Sequence, residues 1–184
     1  MIAFLDSEFT DLLDPQLLSL GLASLDAREF YAELDLESDI GKARLKASSE
    51  FVRYNGVIDQ WGRVPGALGT EWEMGRRAGE WILGLAADAG EKVEIAFDYS
   101  MDYELLEYAI RDAGLWEQVR EVVIPRNVDA ITGTITGELA AEECFRSLKA
   151  RRLGRHHALA DALALRAAYM AKAAAFLPGF GGKD

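Results

Sequence analysis

The first 35 residues hold three short apolar runs, and the distances between them decide which sheets the chain can form. "IAFLDSEF" is followed by a turn at "LLDPQ", then by "LLSLGLASL", and after "DAR" by "EFYAEL". Each run is rich in aliphatic or aromatic residues and bounded by Asp, Pro or Gly, the usual marks of a strand. A parallel pair needs a crossover of a dozen residues or more, and no such length separates these runs. The spacing therefore predicts an antiparallel meander at the start of the fold.

Downstream the period changes. Residues 36–69 mix charges with glycines, as in "WGRVPGALG", and read as short helices and loop. "TEWEMGRRAGEWILGLAADAG" opens with a capping-box pair, Thr70 and Glu73, and stops at Gly90. Trp72, Met74, Ala78, Trp81, Ile82 and Leu85 approximate one helical face, with both tryptophans expected in the core. "KVEIAFDYS" and "VREVVIP" read as strands, with a helix over "DYELLEYAIRDAG" between them that Asp102 can cap. From about Glu138 to Phe176 the pattern is helical, interrupted near Gly154. Three strands followed by alternating helix and strand imply an α/β fold: a mixed sheet flanked by helices. With no repeat or low-complexity linker, residues 1–176 read as one domain and 177–184 as a tail.

Lys and Arg number 20 against 31 Asp and Glu, a net charge of −11. That balance counts against gripping long duplexes through the overall field. It does not exclude a nuclease, because metal-holding carboxylates are neutralised when loaded. The single cysteine, Cys144, excludes an internal disulfide framework and suits a reducing compartment. No basic stretch precedes the first apolar run and no charge-free window reaches membrane-spanning length, so a soluble, cytoplasmic protein without membrane association is expected.

The first strand ends in two carboxylates. Residues two apart on a strand share a face, so Asp6 and Glu8 converge, and each raises the other's pKa unless a cation lies between them. Alone, the pair reads as a hydrated strand end. Asp98 ends a later strand and Asp102 begins the next helix, the place where α/β proteins gather their sites. Asp161 lies in "ALADALAL", an almost wholly apolar helix where a carboxylate is costly unless paired or metal-bound. The bland alternative puts it on a narrow solvent stripe beside Arg166.

Together these elements resemble the DEDD family of 3′–5′ exonucleases, a branch of the ribonuclease H-like fold. The Asp-x-Glu motif is "DSEF", with Asp6 and Glu8. The second motif, an Asp followed two residues on by an apolar pair, matches Asp102 in "DYELL" better than Asp98. The His-x-x-x-x-Asp motif of the DEDDh subgroup matches His156 and Asp161 in "HHALAD". His157, four before Asp161, has the spacing at which the DEDDy subgroup carries its tyrosine; His156 is favoured if it still lies in the loop after Gly154. The resemblance spans about Ile2 to Tyr169, and the opening is most similar to stand-alone bacterial and phage exoribonucleases.

It implies Asp6, Glu8, Asp102 and Asp161 as ligands of two divalent ions, Mg²⁺ or Mn²⁺, with His156 as general base. The expected substrates are 3′ ends of RNA, or of single-stranded DNA, shortened to nucleoside 5′-monophosphates. Arg146, Lys149, Arg151, Arg152 and Arg155 form the densest basic run and would steer such a substrate. Arg152 and Arg155 are candidate contacts; Phe9 is carried over by its place after Glu8, and Trp61 is a candidate stacking surface. Several relatives are dimers, and the alanine-rich last helix suits a homodimer. Two rivals are a non-catalytic module of the same fold and a phosphohydrolase for small phosphoesters.

Overall fold

The computed structural model describes residues 1–176; the segment read as a tail, 177–184, lies outside the described residues. β1 (Ile2–Phe9), β2 (Leu17–Ser24) and β3 (Glu29–Leu34) form the expected antiparallel meander. Helices α1 (Asp39–Ala47) and α2 (Glu50–Tyr54) and a 3₁₀ turn at Ile58–Gln60 follow. The two-residue strand β4 (Leu68–Gly69) then pairs parallel to β3, which no sequence pattern anticipated. After α3 (Glu71–Ala89), β5 (Val93–Phe97) lies parallel to β1. Then come α4 (Ser100–Asp112), the short α5 (Trp116–Val119) and β6 (Val123–Asn127), parallel to β5. The chain ends in α6 (Asp129–Thr132), α7 (Ile135–Leu148) and α8 (Ala158–Phe176). The sheet order is β4-β3-β2-β1-β5-β6, so the fold is α/β with a mixed six-stranded sheet between helices. No helix among the described residues is long and apolar enough to cross a membrane.

The two faces of the sheet differ in chemistry because the strands alternate. Leu5, Leu20, Leu22, Ala32 and Ile95 enter the main core beneath α3 and α4. Each buried leucine contributes about 1.5–3 kcal/mol. In α3 the capping box is complete: the Glu73 N–H donates to Thr70 Oγ1 at 3.2 Å, and the Thr70 N–H donates to Glu73 Oε2 at 2.7 Å. Gly90 ends the helix at φ 65°. Met74, Ala78, Ile82 and Leu85 are buried as expected and Trp81 packs against their cluster. Trp72 does not: it is 47% exposed, with Arg76 over its ring. At 3.6 residues per turn, a residue two before Met74 points almost to the opposite side of the helix.

The other face carries the rows Asp6–Gly21–Tyr31 and Glu8–Ser19–Glu33, cross-strand partners in β1, β2 and β3. α8 lies on this face, held by Phe4 against Tyr169 at 5.3 Å and covered outside by α7. Its first turn lies directly on Gly21, where a Cβ would come within 2.3 Å of the Ala158 and Leu159 backbone. A glycine inside a strand is otherwise a weakness, so its place here is explained by this close approach.

Gly21→Ala should therefore force α8 off the sheet and cost about 1–3 kcal/mol in urea unfolding. Gly84→Ala, exposed in α3 with open space around it, should instead stabilise by up to about 1 kcal/mol. Equal effects of the two changes would refute the packing argument.

Candidate metal centre

Asp6 and Glu8 leave β1 on the face covered by α8, and Asp161 is the fourth residue of that helix. One carboxylate oxygen from each of the three lies within 4.8 Å of the others, the spacing of groups that can hold a metal ion. Three half-buried carboxylates at this distance repel one another. Burial and then the charges of Asp161 and Asp102 push Glu8 up to about 8. Asp6 is raised well above the ordinary carboxylate range, first by burial and then by Asp161, Asp102, Glu8 and Asp98 in turn. An all-oxygen donor set with such repulsion fits a hard divalent cation such as Mg²⁺ or Mn²⁺.

Asp161 is positioned by the helix start. The His157 N–H donates to its Oδ2 at 3.1 Å, and the His156 backbone amide also hydrogen-bonds the carboxylate. Burial nevertheless dominates, and Asp161 rises to about 7. Asp161 is half-buried between the buried Ala160 and Ala162, and Arg166 is engaged with the Ser24 carbonyl at 2.9 Å.

Asp102 occupies a different position from the one expected. α4 begins two residues before it with no side-chain cap at Tyr99, so Asp102 lies inside the first turn and is not the cap. Its Oδ1 instead accepts from the Ser7 N–H at 3.1 Å and from Ser7 Oγ at 2.6 Å. Ser7 falls between Asp6 and Glu8, so this contact binds α4 to the strand that carries both. Asp102 is buried and raised to about 7 by burial, against the pull of the Ser7 hydroxyl. It acts on Asp6 and Glu8 through its charge while standing outside the close triad.

Asp98 joins Asp6 and Asp161 in the wall of an open cleft of about 230 Å³. Asp129 and Glu138 line the same cleft and were missed from the sequence; Arg155 closes one side. Asp129 stands two residues beyond β6, so the strand-end rule that selected Asp98 would have found it.

Neither imidazole lines this cleft among the described residues. His156 lies in the turn before α8, as the loop placement requires, with φ 64° and its ring edge-on to Phe51 at 4.9 Å. Burial and then Arg155 lower its pKa below the usual value for histidine. His157 is fully buried and stacked on Tyr31 at 4.3 Å, with both ring nitrogens unpartnered, and burial lowers it to about 4. The Tyr31 hydroxyl donates to the buried Glu33 at 2.9 Å, and Glu33 also accepts from the Gly62 N–H at 3.0 Å.

Of the weaker candidates, Phe9 stacks on Tyr99 at 6.3 Å. Trp61 packs against the main core with its indole N–H on the Leu34 carbonyl at 2.9 Å, which removes it as a free stacking surface. Cys144 is half-buried beside the α7–α8 packing, as expected of a filling residue. No protein-family model and no curated protein matches this chain.

Because the carboxylates hold protons near neutrality, a cation must displace them. Mn²⁺ binding at pH 7 should release protons, seen as a buffer-dependent heat in calorimetry, and affinity should rise between about pH 6 and 8. Asp6→Asn should abolish this binding and raise the metal-free melting temperature by removing repulsion. Unchanged Mn²⁺ affinity in that variant would refute the site.

Proposed function

We propose that the protein is a metal-dependent 3′–5′ exonuclease of the ribonuclease H-like class, acting on single-stranded nucleic acid and preferentially on RNA. The observation that carries this reading is the meeting of Asp6, Glu8 and Asp161, from opposite ends of the chain, with carboxylate oxygens within 4.8 Å of one another. Asp102 and Asp98 stand close enough to raise Asp6. Asp6 feels the charge of all four neighbours, so it, Glu8 and Asp161 are the residues that would hold the ions.

Two divalent ions, when bound, supply charge stabilisation at the attacking and leaving oxygens of an in-line displacement at phosphorus. The chain's own residues do the rest. Asp6, Glu8 and Asp161 would hold the ions, and Arg155 at the edge of the cleft offers the positive charge that attracts the phosphate. His156, neutral at pH 7, accepts the proton of the attacking water after its side chain turns from Phe51 toward the carboxylates. Water oxygen bonds to phosphorus, the bond to the 3′ oxygen breaks, and a nucleoside 5′-monophosphate leaves. His157, walled in against Tyr31, holds the start of α8 and with it Asp161.

Incubation with 3′- and 5′-labelled RNA and DNA oligomers in Mn²⁺, Mg²⁺ or EDTA tests the reading. Stepwise shortening from the 3′ end, abolished by EDTA, is expected. No turnover in either metal would refute it, and cleavage of mononucleotides alone would identify a small-phosphoester hydrolase. His156→Ala should lower kcat about 10²-fold or more, the scale of a lost general base. His157→Ala should act mainly on thermal stability; the reverse pattern would exchange the two roles.

A further inference from the structure

The basic run before α8 is not uniformly available to a substrate. Arg146 is paired with Glu143, Arg155 with Glu142, and Arg151 is held by both oxygens of Glu29 at 3.0 and 2.6 Å. Lys149 and Arg152 have no carboxylate partner among the described residues, and both line a second, shallow cleft of about 380 Å³. A third cation comes from the segment between α2 and β4. Arg63 enters the same cleft with its guanidinium on the Arg152 carbonyl and on the Asp59 carbonyl at 2.7 Å, so it too lacks a carboxylate partner. Asp59 is the only acid in this wall among the described residues.

The walls are fixed to each other. Gln60, buried, accepts from the Gly154 N–H at 2.9 Å and donates to the Arg155 carbonyl, which joins the two loops across the floor. Arg155 also lines the acidic cleft, so the two depressions share a boundary. In a chain of net charge −11, a place where three cations without a carboxylate partner among the described residues, and the Glu142-paired Arg155, face one acid is an exception that requires a ligand class.

We infer that the Arg63–Lys149–Arg152 cleft is a phosphate-binding subsite for the backbone of single-stranded nucleic acid upstream of the 3′ nucleotide, and that it makes activity depend on substrate length. This rests on the exonuclease reading of the neighbouring acidic cleft. A dinucleotide reaches the carboxylates alone, whereas a longer strand also lays phosphates between the two loops. Lys149 and Arg152 are exposed and have no carboxylate partner among the described residues, so reversing their charge tests the subsite without removing the Gln60 side chain that joins the two loops.

The experiment compares wild type with a Lys149→Glu, Arg152→Glu double variant in two assays. Fluorescence anisotropy with a labelled 10-nucleotide RNA in EDTA reads binding without turnover, and steady-state kinetics in Mn²⁺ compare that RNA with a dinucleotide. The double variant should bind the 10-mer at least about tenfold more weakly, and its log affinity should depend less on log salt by about 0.7 per lost phosphate contact. KM for the 10-mer should rise by a clearly larger factor than KM for the dinucleotide. Salt-dependent binding lost in the variant supports the subsite even if no substrate is hydrolysed, in which case only the enzymatic reading falls. Equal affinity of variant and wild type, or equal losses on the 10-mer and the dinucleotide, would overturn it.

Discussion

Repulsion among carboxylates is the constraint that the rest of this structure is arranged around. Asp6, Glu8 and Asp161 are held together from β1 and α8, and nothing in their own chemistry favours the meeting. The packing imposes it. Gly21 lets the start of α8 rest on β2 directly opposite Asp6, and the amides at the helix start then fix Asp161. Ser7 draws Asp102 to the same strand from the other side of the sheet. Each device joins distant parts of the chain and brings like charges close to Asp6. Structure with no stake in a cation would place such charges apart, since dispersal in water costs less.

The same packing explains which parts of the fold were legible in advance. β1, β2 and β3 announce themselves because apolar runs and turn residues are local signals, and α3 because its capping box and Gly90 are contiguous. β4 has only two residues, and its pairing depends on β3 being in place, so no window of sequence contains it. α5 and α6, four residues each, are too short for a periodic pattern. Trp72 was misplaced for a related reason: hydrophobicity suggested the core, while its angular position on α3 points it to water.

The candidate site divides along the same line. Asp6 and Glu8 were legible as a pair because strand geometry places residues two apart on one face. Asp161 stood out by contrast with its apolar helix. Asp102 was legible as an acid at a helix start but not as a partner of Ser7, a contact 95 positions away in sequence. The choice between the histidines turned on where α8 begins. Both precede it, yet one ring rests on Phe51 and the other is sealed against Tyr31, and that difference comes from the surrounding chain rather than from their spacing to Asp161.

Net charge was the least informative quantity of all. A value of −11 describes the field far from the molecule, but salt at physiological strength screens that field within about 8 Å. Close to the surface the outcome depends on which charges are already paired. Glu29, Glu142 and Glu143 engage three of the five cations before α8, leaving the other two beside Arg63. Arg63 belongs to the 36–69 region, whose sequence suggested no role. The irregular segment supplies one wall, and the break between α7 and α8 supplies the other, with Arg155 on the boundary toward the carboxylates. An acidic protein can thus present adjoining acidic and basic clefts, because neighbouring glutamates pair with some of the cations at the break before α8 and leave Lys149 and Arg152 beside Arg63.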